Sequence, residues 1–337
     1  MTIAVALPNW VGDAVMATPT LRALRRRFPD EQILAVLRPY VRPVLDPNPW
    51  TDTFIETDKS LAGMVRTVRA LQRESPDAGL LLPNSLRSAL VMHFGGVRRR
   101  IGYRRSGRGW LLTDSLDPPR DGRRFTPTPQ VTYYLALAEV LGAPTDDLRL
   151  ELATTEADEA DATAAYGQAD LDPARTLLLC PGYAFGPAKG WPAAHWGAVA
   201  RGARERFGLG AAVLAGPGET EVAQAVADAA ECATLHDRGL TLASARAVVR
   251  QARAMVTVDS GLRHYAAAFD KPVVALFGPT HIGWTETWHP KEIRLQADVP
   301  CGPCQKPVCP EGTNACMARI QPDEVLDALA DALKRDR

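Results

Sequence analysis

The sequence predicts an α/β protein built from two successive doubly wound, Rossmann-like domains with parallel sheets. Three observations carry this. The chain has 337 residues, which suits two domains of roughly 150 residues better than one. Short β-rich apolar runs alternate with segments of helical period, the signature of βα units. The alternation pauses around Asp170-Leu-Asp-Pro and then starts again. At 46% hydrophobic and 23% charged residues, the composition supports a large core and leaves no room for extensive disorder.

In the first domain, residues 1–168, the run IAVAL (3–7) leads into a helix from Asp13 to Phe28. QILAVL (32–37), TFIE (53–56) with a helix over 61–73, and AGLLL (78–82) with a helix over 85–94 continue the series. Residues 102–129 are rich in Arg, Pro, Gly and Asp without clear period and read as a long loop. Helices over 130–141 and 156–166 close the domain. The second domain, 169–337, gives strands at 176–180, 211–215, 254–258 and 272–278, and helices at 193–207, 220–230, 242–251 and 262–269. A last helix, 323–334, is free to pack back on the first domain. Doubly wound sheets bind ligands beyond the carboxyl ends of their strands, so a cleft between the two halves is the expected site.

Net charge is zero, but residues 1–150 hold 21 Lys+Arg against 15 Asp+Glu, and the rest of the chain reverses the balance. Nine arginines lie between Arg98 and Arg124. They fit either a solvated loop or an anionic partner. No run approaches the roughly 20 apolar residues of a membrane span, and the first residues do not resemble a secretory signal, which points to the cytoplasm.

Chemistry concentrates in the turns that follow strands. The first, Leu7-Pro8-Asn9-Trp10-Val11-Gly12-Asp13, puts Gly12 at a tight backbone and Asp13 at a helix start, as an N-cap or as a general base. The second runs from Cys180 to Pro192 and contains Lys189. With 33 Arg and only six Lys in the chain, a lysine in a Gly/Pro turn ahead of a helix is either a surface residue or a phosphate ligand. The third, Val258-Asp259-Ser260-Gly261-Leu262-Arg263-His264, joins a strand to a helix whose free amides and positive dipole end suit a phosphate. Here Asp259 could hold sugar hydroxyls, and His264 is either a buried structural residue or a ligand. Glu219, after Gly216-Pro217-Gly218, sits where a carboxylate can bind ribose, and Gly278 and Thr280 follow the strand at 272–278. None of these turns is GxGxxG or GxxxxGK[ST], which argues against NAD-dependent hydride transfer and P-loop ATP hydrolysis.

Taken together, the segments PNWVGDAVMATPTLRAL, LPNSLRSAL with RRRIGYRR, CPGYAFGPAKGWP, DSGLRHYAAAFDKPVVALFGPT and CGPCQKPVCPEGTNACM resemble the bacterial heptosyltransferases of glycosyltransferase family nine, most of all the heptosyltransferase II group. The resemblance runs in order along nearly the whole chain. It implies a GT-B fold, with two Rossmann-like domains facing each other across a cleft. It also implies an inverting transfer that needs no cofactor and no catalytic metal. By this resemblance Asp13 is the base on the acceptor hydroxyl. Lys189 and the amides of Ser260, Gly261 and Leu262 neutralise the donor diphosphate, Asp259 contacts the donor sugar, Glu219 the ribose, and Gly278 and Thr280 complete the donor site. Gly12, Asn84, Ser85 and Arg87 face the acceptor. The implied partners are an ADP-sugar, ADP-L-glycero-β-D-manno-heptose, and an anionic glycolipid such as the lipopolysaccharide inner core, met in brief peripheral contact with the inner membrane.

Cys301, Cys304, Cys309 and Cys316 form C-x2-C-x4-C-x6-C. Four thiols at this spacing could hold zinc or an iron–sulfur cluster, or form two disulfides, in a structural role. Two other functions compete with transfer to lipopolysaccharide: a family-nine transferase or GT-B epimerase using another nucleotide sugar, and a nucleic-acid-binding protein. Zero net charge and few aromatics among the arginines weigh against nucleic acid.

Overall fold

The computed structural model describes residues 1–336, which divide into two compact units. The first comprises Met1–Ala153 with Gly283–Thr287, and the second Thr154–Ile282 with the chain from Trp288 onward.

The first unit contains, in order, β1 (Thr2–Ala6), α1 (Val11–Met16), α2 (Thr18–Arg27), β2 (Gln32–Leu37), α3 (Arg42–Leu45), β3 (Thr53–Glu56), α4 (Leu61–Glu74), β4 (Ala78–Leu81), α5 (Leu86–Phe94), β5 (Arg99–Tyr103), β6 (Asp114–Leu116), a two-residue hairpin pair β7 (Arg120–Asp121) and β8 (Arg124–Phe125), and α6 (Gln130–Glu139). Its sheet has the order β3-β2-β1-β4-β5-β6, parallel throughout. The chain winds outward from β1 in one direction and then returns to start again at β4. Beta1 and β4 are therefore hydrogen-bonded neighbours whose following turns open to opposite sides, the switch point at which such sheets bind ligands. The central strands are buried on both faces, as near-continuous apolar runs require.

Three local expectations change in this unit. The single helix over 13–28 is two helices, because Pro19 has no N–H to give to Val15 and its ring crowds the preceding turn. The Thr18 hydroxyl donates to the Val15 carbonyl at 2.8 Å in its place. Asp13 is not an N-cap: the helix starts at Val11, and Asp13 lies in its first turn. The stretch 102–129 is not one loop, since it supplies the end of β5, β6 and the β7–β8 hairpin. Most of its arginines are engaged within the unit, Arg104 with Ser115 Oγ at 2.9 Å, Arg108 with Asn84 Oδ1 at 3.1 Å, and Arg105 and Arg120 over the Phe125 ring.

The second unit follows with α7 (Glu156–Gln168), β9 (Thr176–Cys180), α8 (Ala193–Phe207), β10 (Gly210–Val213), α9 (Thr220–Ala230), β11 (Ala233–Thr234), α10 (Ser244–Gln251), β12 (Ala254–Val258), α11 (Gly261–Ala268), β13 (Val273–Phe277), β14 (Glu292–Gln296), α12 (Ala315–Ala318) and α13 (Pro322–Lys334). Its sheet repeats the first, β11-β10-β9-β12-β13-β14, again all parallel, with its switch point between β9 and β12. The boundary falls ahead of the helix at 156–168 rather than after it. Alpha7 packs on α10, where Asp158 pairs with the buried Arg246 at 3.0 Å and the Tyr166 hydroxyl donates to the Val248 carbonyl at 2.8 Å. The closing helix α13 lies on α8 and against β12, β13 and β14, burying Val325, Leu326, Leu329 and Ala332 in the second unit.

Alpha8 and α9 meet closely because Gly197 has no side chain. A Cβ there would stand 2.2 Å from the Ala229 carbonyl oxygen. Gly197→Ala should therefore push the helices apart and cost about 1–3 kcal/mol; differential scanning calorimetry should show a clearly lowered Tm, whereas an unchanged Tm would mean the contact is loose.

Candidate active site

In the second unit the turns after β9, β12 and β13 converge on one buried carboxylate. Lys189 ends a 3-10 turn, Pro187–Lys189, and is only 8% exposed. Its Nζ donates to the Asp259 carbonyl oxygen at 2.6 Å and to Asp259 Oδ2 at 2.7 Å. The Thr280 hydroxyl donates to the same Oδ2 at 2.8 Å. On the other side Arg263, one helical turn along α11, reaches Asp259 Oδ1 at 3.3 Å and grips both carboxylate oxygens of Glu292 on β14. Burial pushes the Asp259 pKa up, but the neighbouring Lys189 and Arg263 charges and the hydrogen bonds outweigh it and hold the pKa down at about 2. Ser260 is the N-cap of α11 and makes no side-chain cap bond, so its hydroxyl does not take up any of the first amides of that helix, which have no intrahelical partner. His264 is buried, and burial together with Arg263 lowers its pKa to about 3, which keeps the ring neutral.

Glu219 lies at the neighbouring turn. Its Oε2 accepts from the Gly216 N–H at 2.7 Å and rests against Gly182, where a Cβ would collide with it. Gly278 is packed under the Met317 sulfur and the Cys316 sulfur.

The segment carrying the four cysteines braces this region. The Pro307 carbonyl accepts from the Ala188 N–H at 3.0 Å, immediately before Lys189, and presses on Gly186, where any Cβ would come within 2.4 Å of that oxygen. The Asn314 amide donates to the Pro187 carbonyl at 3.1 Å, and the Gln305 N–H to the Pro279 carbonyl at 2.8 Å. Cys301, Cys304, Cys309 and Cys316 line one small cavity of about 20 Å³. Backbone N–H groups of Asn314, Glu311, Thr313 and Gly312 lower the Cys309 thiol pKa, while burial and the other three thiols raise that of Cys316. All four are free thiols, without the disulfides that are one of the alternatives their spacing leaves open. No group of three or more His, Cys, Asp or Glu among the described residues is arranged to hold a metal ion.

In the first unit, Gly12 and Asp13 follow β1, and Asn84, Ser85 and Arg87 follow β4, so they flank the switch point together. The β1 turn is held by Arg38, which donates to Asn9 Oδ1 at 3.1 Å, and by the Tyr40 hydroxyl on the Asn9 carbonyl at 2.5 Å. Asp13 lies near Tyr134, whose hydroxyl pKa is driven far up by burial and by the Asp13 charge. Ser85 caps α5 by accepting from the Ser88 N–H at 3.1 Å. Arg87 turns to the carbonyls of Asp58 at 3.0 Å and Ser60 at 2.7 Å, which fixes the start of α4.

Over its whole length the chain resembles known enzymes. The sequence profile of Glycosyltransferase family 9 (heptosyltransferase) matches residues 64–315. Lipopolysaccharide heptosyltransferase 2 of Escherichia coli K12 is 30% identical, with 98% of this chain and 97% of that one aligned. The Salmonella typhimurium protein of the same name is 29% identical over 100% and 99%. The solved structure of the E. coli ADP-heptose lps heptosyltransferase II superposes with a TM-score of 0.82 at 27% identity, covering 100% of this chain and 99% of that one. The chain belongs to glycosyltransferase family 9.

This family 9 transferase has the two Rossmann-like units of a GT-B enzyme. The structure brings together Lys189, Asp259, Ser260 and Thr280 in one unit and Gly12, Asp13 and the 84–87 turn in the other. Sequence reasoning missed the residues that hold them. Arg263 and Glu292 lie behind Asp259. Arg108 is fully buried, and burial lowers its pKa to about 10. It donates to the carbonyls of Pro83 and Ser85, to Tyr103 O at 3.2 Å and Leu81 O at 3.4 Å, to Ser88 Oγ at 3.2 Å and to Asn84 Oδ1 at 3.1 Å. The Tyr133 hydroxyl adds a bond to Asn84 Oδ1 at 3.4 Å, and its ring stacks on Tyr103 at 3.6 Å. Arg108→Met in this transferase should strand several buried carbonyls and destabilise it by about 3 kcal/mol or more. The check is the urea midpoint, and a shift corresponding to less than about 1 kcal/mol would show that Arg108 is dispensable to the turn.

Proposed function

We propose that this chain is an inverting, metal-independent heptosyltransferase that uses ADP-L-glycero-β-D-manno-heptose and adds heptose to the inner core of lipopolysaccharide or a related anionic glycolipid. The observation that carries this reading is the buried Lys189 ammonium at the second switch point, beside Asp259 and the uncapped head of α11. A cation and free helix-terminal amides, pre-set in a site shielded from water, stabilise a departing nucleoside diphosphate without a divalent ion. In this role Lys189 and the amides of Ser260, Gly261 and Leu262 take the phosphates, Asp259 and Thr280 meet sugar hydroxyls, Gly278 keeps the floor of the site thin, and Glu219 takes the ribose.

Asp13 takes the proton of the acceptor hydroxyl as that oxygen bonds to the anomeric carbon from the face opposite the diphosphate. The bond from the anomeric carbon to the phosphate oxygen breaks, and ADP leaves with the electron pair. Gly12, Asn84, Ser85 and Arg87 position the acceptor. No described helix is long and apolar enough to cross a membrane. The enzyme works in the cytoplasm and meets its lipid-linked acceptor by transient contact with the inner membrane.

A thermal-shift and mass-spectrometric screen of nucleotide sugars tests this. ADP-heptose should stabilise the protein and be consumed when glycolipid acceptor is added. Preferential stabilisation by a UDP- or GDP-sugar would reassign the donor, and conversion of the donor without any acceptor would indicate an epimerase.

A further inference from the structure

Behind Asp259 lies a buried row of four charges: Lys189, Asp259, Arg263 and Glu292. Its two cations differ in freedom. Lys189 ends a turn and carries a flexible stem, with two of its three ammonium donors on Asp259. Arg263 is fully buried, bonds both oxygens of Glu292 and lies over the Phe277 ring at 5.1 Å. The Asp259 carboxylate is split accordingly, with Oδ1 toward Arg263 and Oδ2 toward Lys189 and Thr280.

We propose that Arg263, gripped from behind by Glu292, is a positioning residue that keeps the Asp259 carboxylate charged and aimed when Lys189 is drawn away by the phosphates of a nucleoside diphosphate; this rests on the reading of Lys189 and Asp259 as donor ligands. An arriving diphosphate competes with Asp259 for the lysine. If Lys189 were the only cation beside it, the buried carboxylate would then lose its partner and take a proton from solvent, since an uncompensated buried charge is removed by protonation. The fixed guanidinium prevents this, and Oδ2 becomes open to accept from a sugar hydroxyl. His264, also on α11 and electrostatically coupled to Asp259, is neutral and cannot substitute for Arg263.

The test uses the full-length protein and ADP as the probe, with calorimetry in buffers of different ionisation enthalpy to count protons taken up on binding. The pair is removed together as Arg263→Met with Glu292→Met, because a lone buried Glu292 would itself destabilise the fold, whereas apolar replacement of a whole buried pair is often tolerated. Relative to the unaltered protein, this variant should take up close to one additional proton per ADP and bind ADP about tenfold more weakly near neutral pH, with the deficit shrinking as the pH falls. Arg263→Gln with Glu292→Gln, which keeps hydrogen-bonding groups but no charge at either position, should show the same proton uptake and serves if the apolar double variant does not fold. Arg263→Lys should restore the original count. An unchanged proton count in a folded, charge-free variant would overturn the proposal. Failure of the underlying reading looks different: ADP affinity would then be insensitive to Lys189→Met.

Discussion

Replacing Asp13 with asparagine is expected to lower kcat by about 10³-fold while leaving ADP binding within a factor of about two. The change keeps the volume and hydrogen-bonding reach of the side chain and removes its basicity. Positioned general bases contribute about 10²- to 10⁴-fold. Asp13 sits in the first turn of α1, in the unit that does not contain Lys189, so the nucleotide should not register its loss. Initial rates with donor and glycolipid acceptor, paired with calorimetric ADP binding, separate the two effects. Turnover within tenfold of the unaltered enzyme would remove Asp13 from proton transfer. Tyr134 provides an internal control: it is buried beside Asp13, and Tyr134→Phe keeps the packing and should leave far more activity.

Lys189→Met should act on the other substrate. Loss of the ammonium is expected to reduce kcat/KM for the donor by about 10²- to 10³-fold, the usual cost of losing one pre-set stabiliser of developing negative charge. The fold should survive, because Asp259 retains Arg263 at 3.3 Å and the hydroxyl of Thr280 at 2.8 Å. Thermal unfolding of the variant in the absence of nucleotide should therefore stay close to that of the parent, while the stabilisation given by ADP should largely vanish. A variant that still gains the full shift from ADP would mean that the phosphates bind elsewhere.

The fold was legible where burial is complete on both faces. TLLLC and AMVTV read as strands because every residue in them is buried, and the restart of the pattern after residue 170 disclosed the second sheet. The edges were not legible. RRIGY begins with exposed arginines, DSL is half-buried, and EIRLQ alternates too briefly to stand apart from its surroundings. The break at Ala17 was hidden because the apolar period continues across it, and only the geometry of Pro19 interrupts the helix.

For the site, Lys189 stood out through the scarcity of lysine and its place in a Gly/Pro turn, and Asp259 through the strand-to-helix junction. Their supports gave no comparable signal. Arg108 is one of nine arginines in a short stretch, and only tertiary burial separates it from its exposed neighbours. Glu292 reaches Arg263 across 29 residues of sequence, a pairing that no local spacing encodes. The one available hint was the i,i+4 spacing between Asp259, just ahead of the α11 N-cap, and Arg263 in the first turn of that helix.

The order in which strands enter each sheet has a consequence for biosynthesis. Every strand of the first sheet lies within residues 2–116, so a nascent chain leaving the ribosome can complete that sheet while the second half is still untranslated. The second sheet must wait for β14 at 292–296, and its core remains uncovered until Val325, Leu326 and Leu329 of the closing helix arrive. A chain cut short before Leu326 would thus spare the first sheet and leave the second unit with an open apolar flank, a form that cellular quality control would be expected to degrade.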